Sequence, residues 1–243
     1  MKKLVNSFLA RFNLALHGRN YIKKLEKAGS QKDPFQTQLL WCGKPGVIFD
    51  VGANRGHVTL RYRQLYPDAT IHAFEPLPDF QEEFHSHHRS DANVRLARMA
   101  LAENKGTKPF YVNRSADTSS LLRSVKIGAT SDTACQTQQT VSVETTTIDH
   151  YLEQNGIAKI DILKMDAQGG ELQVLKGAKK ALEEKRIGLI YTEAFFQEQY
   201  EAQPLLYDLA SFLRSYNYFL EDIYEPYYNK DFILWCDAIF LPK

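Results

Sequence analysis

Short apolar runs alternate with segments of helical periodicity from residue 45 onward, and no other feature limits the fold as strongly. Strands that alternate with helices pair in parallel, so the pattern predicts a doubly wound α/β sheet. The link at residues 225–230 is too short for a crossover, so we expect a hairpin there and an antiparallel last strand. Seven runs have the length of strands: 47–51, 70–75, 94–100, 160–166, 187–191, 218–224 and 232–241.

Residues 107–146 interrupt this alternation. They are rich in Ser, Thr and Gln, with strand-like pieces at 108–113 and 139–146 and a polar loop between them. A long polar loop inside a compact domain is more often functional than idle. We therefore expect residues 114–137 to form a mobile cover that becomes ordered over a bound ligand.

The first 32 residues carry an excess of positive charge, with eight basic residues against one acidic residue. We interpret residues 1–44 as a helical extension that docks its apolar face on a main domain of residues 45–243. Two alternatives stay open: a helix that contacts an anionic membrane surface or an acidic partner, and a cleaved targeting peptide. The apolar residues recur at the three- and four-residue spacing of an amphipathic helix: Leu4, Val5, Phe8, Leu9, Phe12 and Leu16.

Charge and cysteine content exclude several classes of protein. The 30 basic and 29 acidic residues leave a net charge of +1, so electrostatics does not favour a nucleic-acid partner. The sequence contains no run of about 18 apolar residues, so it does not predict a transmembrane helix. Three widely separated cysteines, Cys42, Cys135 and Cys236, fit neither a disulfide framework nor a zinc site. We therefore expect a cytoplasmic protein without a bound metal.

A glycine turn follows the first predicted strand, in the segment Asp50-Val51-Gly52-Ala53-Asn54-Arg55-Gly56-His57. Glycines at 52 and 56 allow a sharp turn and a close approach to a ligand. The dinucleotide fingerprint is absent, because Asn54 and His57 stand where it requires glycine, and no GK[ST] of a P-loop follows. Taken alone, the turn favours a structural role over a ligand-binding role.

Charged residues at two other strand ends favour a ligand site. Glu75 follows Gly52 by 23 residues, near the spacing at which an acid contacts ribose hydroxyls in nucleotide-binding α/β folds. Lys164 lies inside an apolar strand, where an unpaired ammonium would be costly, so we expect an acidic partner nearby. The turn after this strand carries Asp166 and Glu171.

Four ordered motifs together resemble the FkbM-type family of S-adenosylmethionine-dependent methyltransferases. They are Asp50–Gly56, the triplet Phe74-Glu75-Pro76, residues 144–149, and residues 162–177. The last contains K-[IM]-D-x-[EQ]-G-[AG]-E, which residues 164–171 match with glycine at position 170. The resemblance covers about residues 47–241, and residues 1–44 match nothing in this pattern.

The resemblance implies a Rossmann-like methyltransferase fold, with a seven-stranded, mostly parallel sheet and an antiparallel last strand. It also implies S-adenosyl-L-methionine as the cofactor. The turn Gly52–Gly56 would hold its amino-acid part, Glu75 its ribose, residues 99–101 its adenine, and Asp166 its methionine portion. The implied cofactor-binding residues are Asp50, Gly52, Ala53, Asn54, Gly56, Glu75, Pro76, Met99, Ala100, Leu101 and Asp166.

An O-methyltransferase benefits from a base that takes the proton of the acceptor hydroxyl. We consider Asp166, Glu171 and Glu193 as candidates, with Asp166 serving mainly cofactor binding. Lys164 would neutralise one of the other two acids. The expected acceptor is a hydroxyl of a sugar, a glycan or a small natural product. Two alternatives are an inactive cofactor-binding partner protein and an NAD-dependent oxidoreductase.

Overall fold

The computed structural model describes residues 33–125, 133–229 and 232–243, so the predicted amphipathic helix in residues 1–32 lies outside the described residues. The chain divides into two units, Met1–Lys44 and Pro45–Lys243. The described part of the first unit contains helix α1 (Pro34–Cys42). Asp33 caps this helix, because the Phe35 amide donates to its Oδ1 at 2.9 Å.

The second unit is built on a seven-stranded sheet with the order β3-β2-β1-β7-β8-β10-β9. Six strands are parallel to one another, and β10 is antiparallel to both of its neighbours. The strands in chain order are β1 (Val47–Val51), β2 (Thr70–Phe74), β3 (Val94–Ala97), β4 (Ala100–Leu101), β5 (Gly106–Asn113), β6 (Thr137–Thr146), β7 (Ile162–Met165), β8 (Ile190–Phe195), β9 (Tyr218–Asn229) and β10 (Phe232–Pro242).

The predicted seven-stranded sheet with an antiparallel last strand is confirmed, while several predicted strand ends were wrong. The fifth sheet strand, β8, starts three residues later than predicted and continues to Phe195. Strand β9 continues to Asn229 and so includes Pro226, although we expected a hairpin loop over residues 225–230. Since β9 is the edge strand, a residue without an amide proton is tolerated there.

A second, three-stranded sheet has the order β4-β6-β5. Strands β5 and β6 come from the segment that interrupted the alternation, whereas β4 comes from the end of the predicted strand 94–100, which is split between the two sheets. Both strand-like pieces of this segment became strands, but we did not predict that they form a separate sheet. Between β5 and β6, the described part of the insertion includes a 3-10 helix, Ala116–Thr118. The Tyr111 amide donates to the Ser120 carbonyl oxygen at 2.8 Å, which holds this part against β5.

Helices cover both faces of the main sheet, and its central strands are continuous apolar runs because both of their faces are buried. Phe49, Leu163 and Ile190 are fully buried in one core. Among the described residues, every helix is too short or too polar to cross a bilayer. The helices of this unit are α2 (His57–Leu65), α3 (Pro78–His88), α4 (Ile148–Gln154), α5 (Glu171–Lys176), α6 (Lys179–Glu183) and α7 (Leu206–Ser215).

Candidate active site

A cavity opens beyond the carboxyl ends of β1, β2 and β7. The strand order reverses between β1 and β7, and this is where ligands bind in open α/β sheets. Glu75 and Asp166 supply carboxylates to its wall, whereas Leu101 and Phe110 supply apolar surface. The cavity therefore combines a few polar groups with an apolar wall, as small-molecule sites do.

Glu75 directs its carboxylate toward the turn after β1. The Asn54 amide donates to its Oε2 at 3.0 Å, and the Leu77 amide donates to its Oε1 at 2.8 Å. Burial raises the pKa of Glu75 to about 7, although these two bonds lower it. Each oxygen retains a further lone pair, so the carboxyl group can also accept bonds from ligand hydroxyls.

Gly52 packs against protein backbone, which corrects our view that its missing side chain makes room for a ligand. Its φ is 71°, and a Cβ atom there would lie 1.9 Å from the carbonyl oxygen of Asp166. Gly56 likewise packs on α3, because a Cβ would lie 2.7 Å from the Phe84 ring. Both glycines are needed for the close approach of neighbouring elements.

Asp50 and Lys164 form a buried ion pair, whereas we expected Lys164 to neutralise another acid. The Lys164 ammonium lies 3.0 Å from Asp50 Oδ1 and donates to the Gly52 carbonyl oxygen at 3.1 Å. The Thr59 hydroxyl donates to the other Asp50 oxygen at 2.6 Å. Burial lowers the pKa of Lys164, but Asp50 and Asp166 raise it above its ordinary value. The pair therefore fixes the turn after β1, and Lys164 does not pair with Glu171 or Glu193.

Gln168 joins Asp166 to Glu193 in the turn after β7. Its amide nitrogen donates to Asp166 Oδ1 at 2.8 Å and to Glu193 Oε2 at 3.0 Å. The Tyr200 hydroxyl lies 2.7 Å from the Gln168 side-chain oxygen and 2.9 Å from the Thr118 carbonyl oxygen, and its one proton serves either acceptor. The network thus connects two of our base candidates to the insertion between β5 and β6.

Glu193 lies in a buried, acidic environment that disfavours its ionised form. Burial raises the pKa of Glu193 well above its ordinary value, and repulsion by Asp166 and Glu171 raises it further. Asp237 lies opposite Glu193 on β10. Burial also raises the pKa of Asp237 to about 6, whereas the hydroxyl of Tyr191, which donates to it, lowers this pKa.

Glu171, in contrast to Glu193, is held by the backbone of the turn after β7. It is 1% exposed, and the Ala167 amide donates to its Oε1 at 2.8 Å. Burial raises the pKa of Glu171 to about 7, while bonds from its own amide and that of Ala167 lower it. The side chain closes the turn at the start of α5. Neither Glu171 nor Glu193 lines the cavity, and they differ in that Glu171 accepts from a backbone amide and Glu193 from Gln168.

Seven of the eleven residues expected to bind cofactor line the cavity, and four do not. Asp50 is held by Lys164, and Gly56 lies under α3. Ala53 packs with Phe84, and Met99 packs against the main core. Those that line it are Gly52, Asn54, Glu75, Pro76, Ala100, Leu101 and Asp166.

Residues that we did not single out complete the site. Asp117 and Leu121 of the insertion line the cavity, and Asp117 accepts a bond of 3.0 Å from the Asn54 side chain. Gln168 lay within the recognised motif, as a polar residue between two acids. Asp237 is an acid inside the apolar run 232–241, so the reasoning that singled out Lys164 could have found it.

The sheet order and the position of the cavity define the class: a Rossmann-like doubly wound α/β protein with its ligand site at the switch point. Residues 50–220 match the family described as the methyltransferase FkbM domain. The chain belongs to this family and is a methyltransferase.

Two relatives and one solved structure illustrate the similarity. The chain is 31% identical to the 2-O-methyltransferase NoeI of Sinorhizobium fredii over 176 residues, covering 70% of this chain and 72% of that one. It is 25% identical to the hexuronic acid methyltransferase AglP of Haloferax volcanii over 181 residues, covering 74% and 68%. The fibrillarin pre-rRNA processing protein of Methanococcus jannaschii superposes with a TM-score of 0.49 at 13% identity, covering 87% and 76%.

Proposed function

We propose that this methyltransferase transfers the methyl group of S-adenosyl-L-methionine to a hydroxyl group of a sugar or glycan. The observation that carries the proposal is the arrangement of Glu75, Asp166 and Glu193. One acid lies at the hydroxyl-binding side of the cavity, one at the switch point, and one beyond it toward β10. The names of the two relatives, a 2-O-methyltransferase and a hexuronic acid methyltransferase, support oxygen as the acceptor atom and a sugar as the acceptor.

The residues of the cavity fit this cofactor. Glu75 can accept bonds from ribose hydroxyls while its backbone bonds keep it in place. Leu101 and Phe110 offer an apolar surface for a flat base, and the Asp166 carboxylate complements a positive charge. When bound, S-adenosylmethionine supplies a methyl group on a positively charged sulfur.

Glu193 is our candidate for the general base, in preference to Glu171 and Asp166. Burial and the neighbouring carboxylates raise the pKa of Glu193 well above its ordinary value, so its carboxylate is a stronger base than an exposed one. The bond from Gln168 occupies Oε2 and fixes the orientation of the carboxyl group. Orientation of this kind contributes to catalysis, because the base must face the hydroxyl while the hydroxyl faces the methyl group.

Calorimetry with S-adenosylhomocysteine tests the cofactor site. Glu75→Ala should weaken binding about 10- to 100-fold, the effect of losing bonds to a charged group. Glu82→Ala on the exposed surface of α3 is the matched control and should bind as the wild type does. Unchanged affinity of Glu75→Ala, with its fold verified by thermal unfolding, would contradict the assignment.

Turnover tests the base. Formation of S-adenosylhomocysteine is measured with a panel of methyl glycosides as acceptors. Glu193→Gln should lower turnover about 10²- to 10⁴-fold with cofactor affinity nearly intact. Glu198→Gln, at an exposed position of the following loop, is the control and should retain turnover. Wild-type turnover in Glu193→Gln rejects this base, and no turnover with any acceptor favours an inactive cofactor-binding protein.

A further inference from the structure

The hairpin of β9 and β10 extends the face of the sheet that carries Glu193. On β10, Asp237 pairs with Glu193 and Trp235 pairs with Phe195. Side chains two residues apart on a strand point to the same face, so Trp235 shares the face of Asp237. The two positions are about 7 Å apart along the strand. Trp235 therefore lies next to the proposed base, toward the outer edge of the sheet.

A β-bulge brings a second aromatic residue to this face. Tyr224 pairs with Asp237, and Tyr227 pairs with Trp235, so four residues of β9 (224–227) are matched to three of β10 (235–237). Without the bulge, Tyr224 and Tyr227 would point to opposite faces. Glu225 absorbs the irregularity with a φ of 46°, a conformation that L residues rarely adopt. Bulges that redirect a side chain are frequent next to active sites.

The redirected ring stacks on its neighbour. The ring centroids of Tyr227 and Trp235 are 3.8 Å apart, and the ring planes differ by 18°. Tyr227 is nevertheless 51% exposed, so the stacked pair presents aromatic surface to solvent. A rigid, solvent-facing aromatic surface beside polar groups is suited to a ligand that has one apolar face and several hydroxyls.

We propose that Tyr227 and Trp235 form an acceptor subsite that packs against the C–H face of a neutral pyranose ring. This inference rests on the proposed function, since it identifies the sugar that the enzyme would methylate. Trp235 and Glu193 are diagonal neighbours on adjacent strands, about 7–8 Å apart, so a ring stacked on Trp235 can direct a hydroxyl toward Glu193. Apolar contact holds the ring, and the carboxyl group receives the hydroxyl.

The charge of this face indicates that the sugar is neutral. Asp166 and Asp237, whose pKa is about 6, lie on or beside it, and the nearby Lys164 is already paired with Asp50. A sugar carboxylate would be repelled by these groups, which is how a site discriminates against a wrong substrate. Hexuronic acids should therefore bind less well than hexoses.

Saturation-transfer NMR on the enzyme with bound S-adenosylhomocysteine tests the subsite. The probes are the methyl glycosides of glucose, galactose, mannose and glucuronic acid. At least one neutral glycoside should bind, with the strongest saturation on the protons of its C–H face, and the glucuronide should bind less well. Trp235→Ala and Tyr227→Ala should each weaken binding about fivefold or more. Tyr207→Ala, at an exposed tyrosine on α7, is the control and should leave binding unchanged.

A second measurement covers the case in which Trp235→Ala does not fold. The chain has two tryptophans, so Trp41→Phe leaves Trp235 as the only indole. Its fluorescence should change when the neutral glycoside binds, and Tyr227→Ala should shift that titration to higher concentration.

Three results would overturn the inference. The first is that no neutral glycoside binds, the second is that Tyr227→Ala binds as tightly as the wild type, and the third is that the glucuronide binds more tightly than the neutral glycosides.

Sedimentation provides a further test. If the aromatic variants dissociate a dimer and still bind glycoside normally, the surface holds a second copy of the chain. Calorimetry with S-adenosylhomocysteine separates the two proposals, since intact cofactor binding with any of these results rejects only the subsite. Absence of cofactor binding in the wild type rejects the proposed function itself.

Discussion

Replacing Gly52 with alanine should destabilise the protein more than any strain in its backbone angle explains. The left-handed conformation at φ 71° costs an L residue about 1–2 kcal/mol. The added Cβ would also lie 1.9 Å from the Asp166 carbonyl oxygen. That atom belongs to backbone at the end of a central strand, so the overlap should add about 1–3 kcal/mol. We expect a total loss of about 2–5 kcal/mol in the free energy of unfolding.

Gly156 provides a matched control because it separates the two contributions. Its φ is 63°, and no atom lies within 4 Å of the position that a Cβ would occupy. Gly156→Ala should therefore cost only the conformational part, about 1–2 kcal/mol. Urea unfolding of both variants measures the difference. If Gly52→Ala is no less stable than Gly156→Ala, then β1 and β7 do not approach as closely as described, and the glycine is there for another reason.

Three further predictions concern the neighbouring residues. Lys164→Met should lower the free energy of unfolding by about 3–5 kcal/mol, because it leaves the Asp50 carboxylate buried without its cation. Urea unfolding measures this loss, and the control Lys159→Met, at an exposed ion pair, should lose less than ~1 kcal/mol. Burial raises the pKa of Glu171 to about 7, so the folded state retains a proton that the unfolded state releases above its ordinary pKa of 4.5. This group should lower stability by about 3 kcal/mol as pH rises from 4.5 to 7, and unfolding of Glu171→Gln should depend correspondingly less on pH. Amide hydrogen exchange in residues 114–125 should slow when S-adenosylhomocysteine binds, because this segment lines the cavity; equal rates with and without it would count against a cover.

The strand positions could be predicted because burial on both faces gives each central strand a continuous apolar run. The antiparallel hairpin followed from the length of one link. The limits of β9 could not be predicted, since Pro226 is acceptable only because β9 forms the sheet edge. Sheet order is set by long-range pairing, and local sequence does not reveal which strand is outermost.

In the candidate site, too, some features could be predicted from the sequence and others could not. The sequence indicated that Lys164 needs an acidic partner, since an ammonium inside an apolar strand is costly. It did not indicate which acid, because Asp50 and Lys164 meet only through the pairing of β1 with β7. Glu171 and Glu193 looked equivalent as acids after strands. Their difference depends on whether the carboxyl group faces a backbone turn or the network of Gln168.

The raised pKa of Glu193 suggests that cofactor and base are coupled. The carboxyl groups around it disfavour its ionised form, and a positive charge placed beside Asp166 would favour that form. A cationic cofactor should therefore lower the pKa of Glu193 and release a proton, so that the base becomes ready when the methyl donor is in place. S-adenosylhomocysteine lacks this charge and should release less. Calorimetry in buffers of different ionisation enthalpy counts the protons, and Glu193→Gln should abolish the difference between the two ligands. Equal proton release by both ligands in the wild type would show that the charge of the cofactor does not control the base.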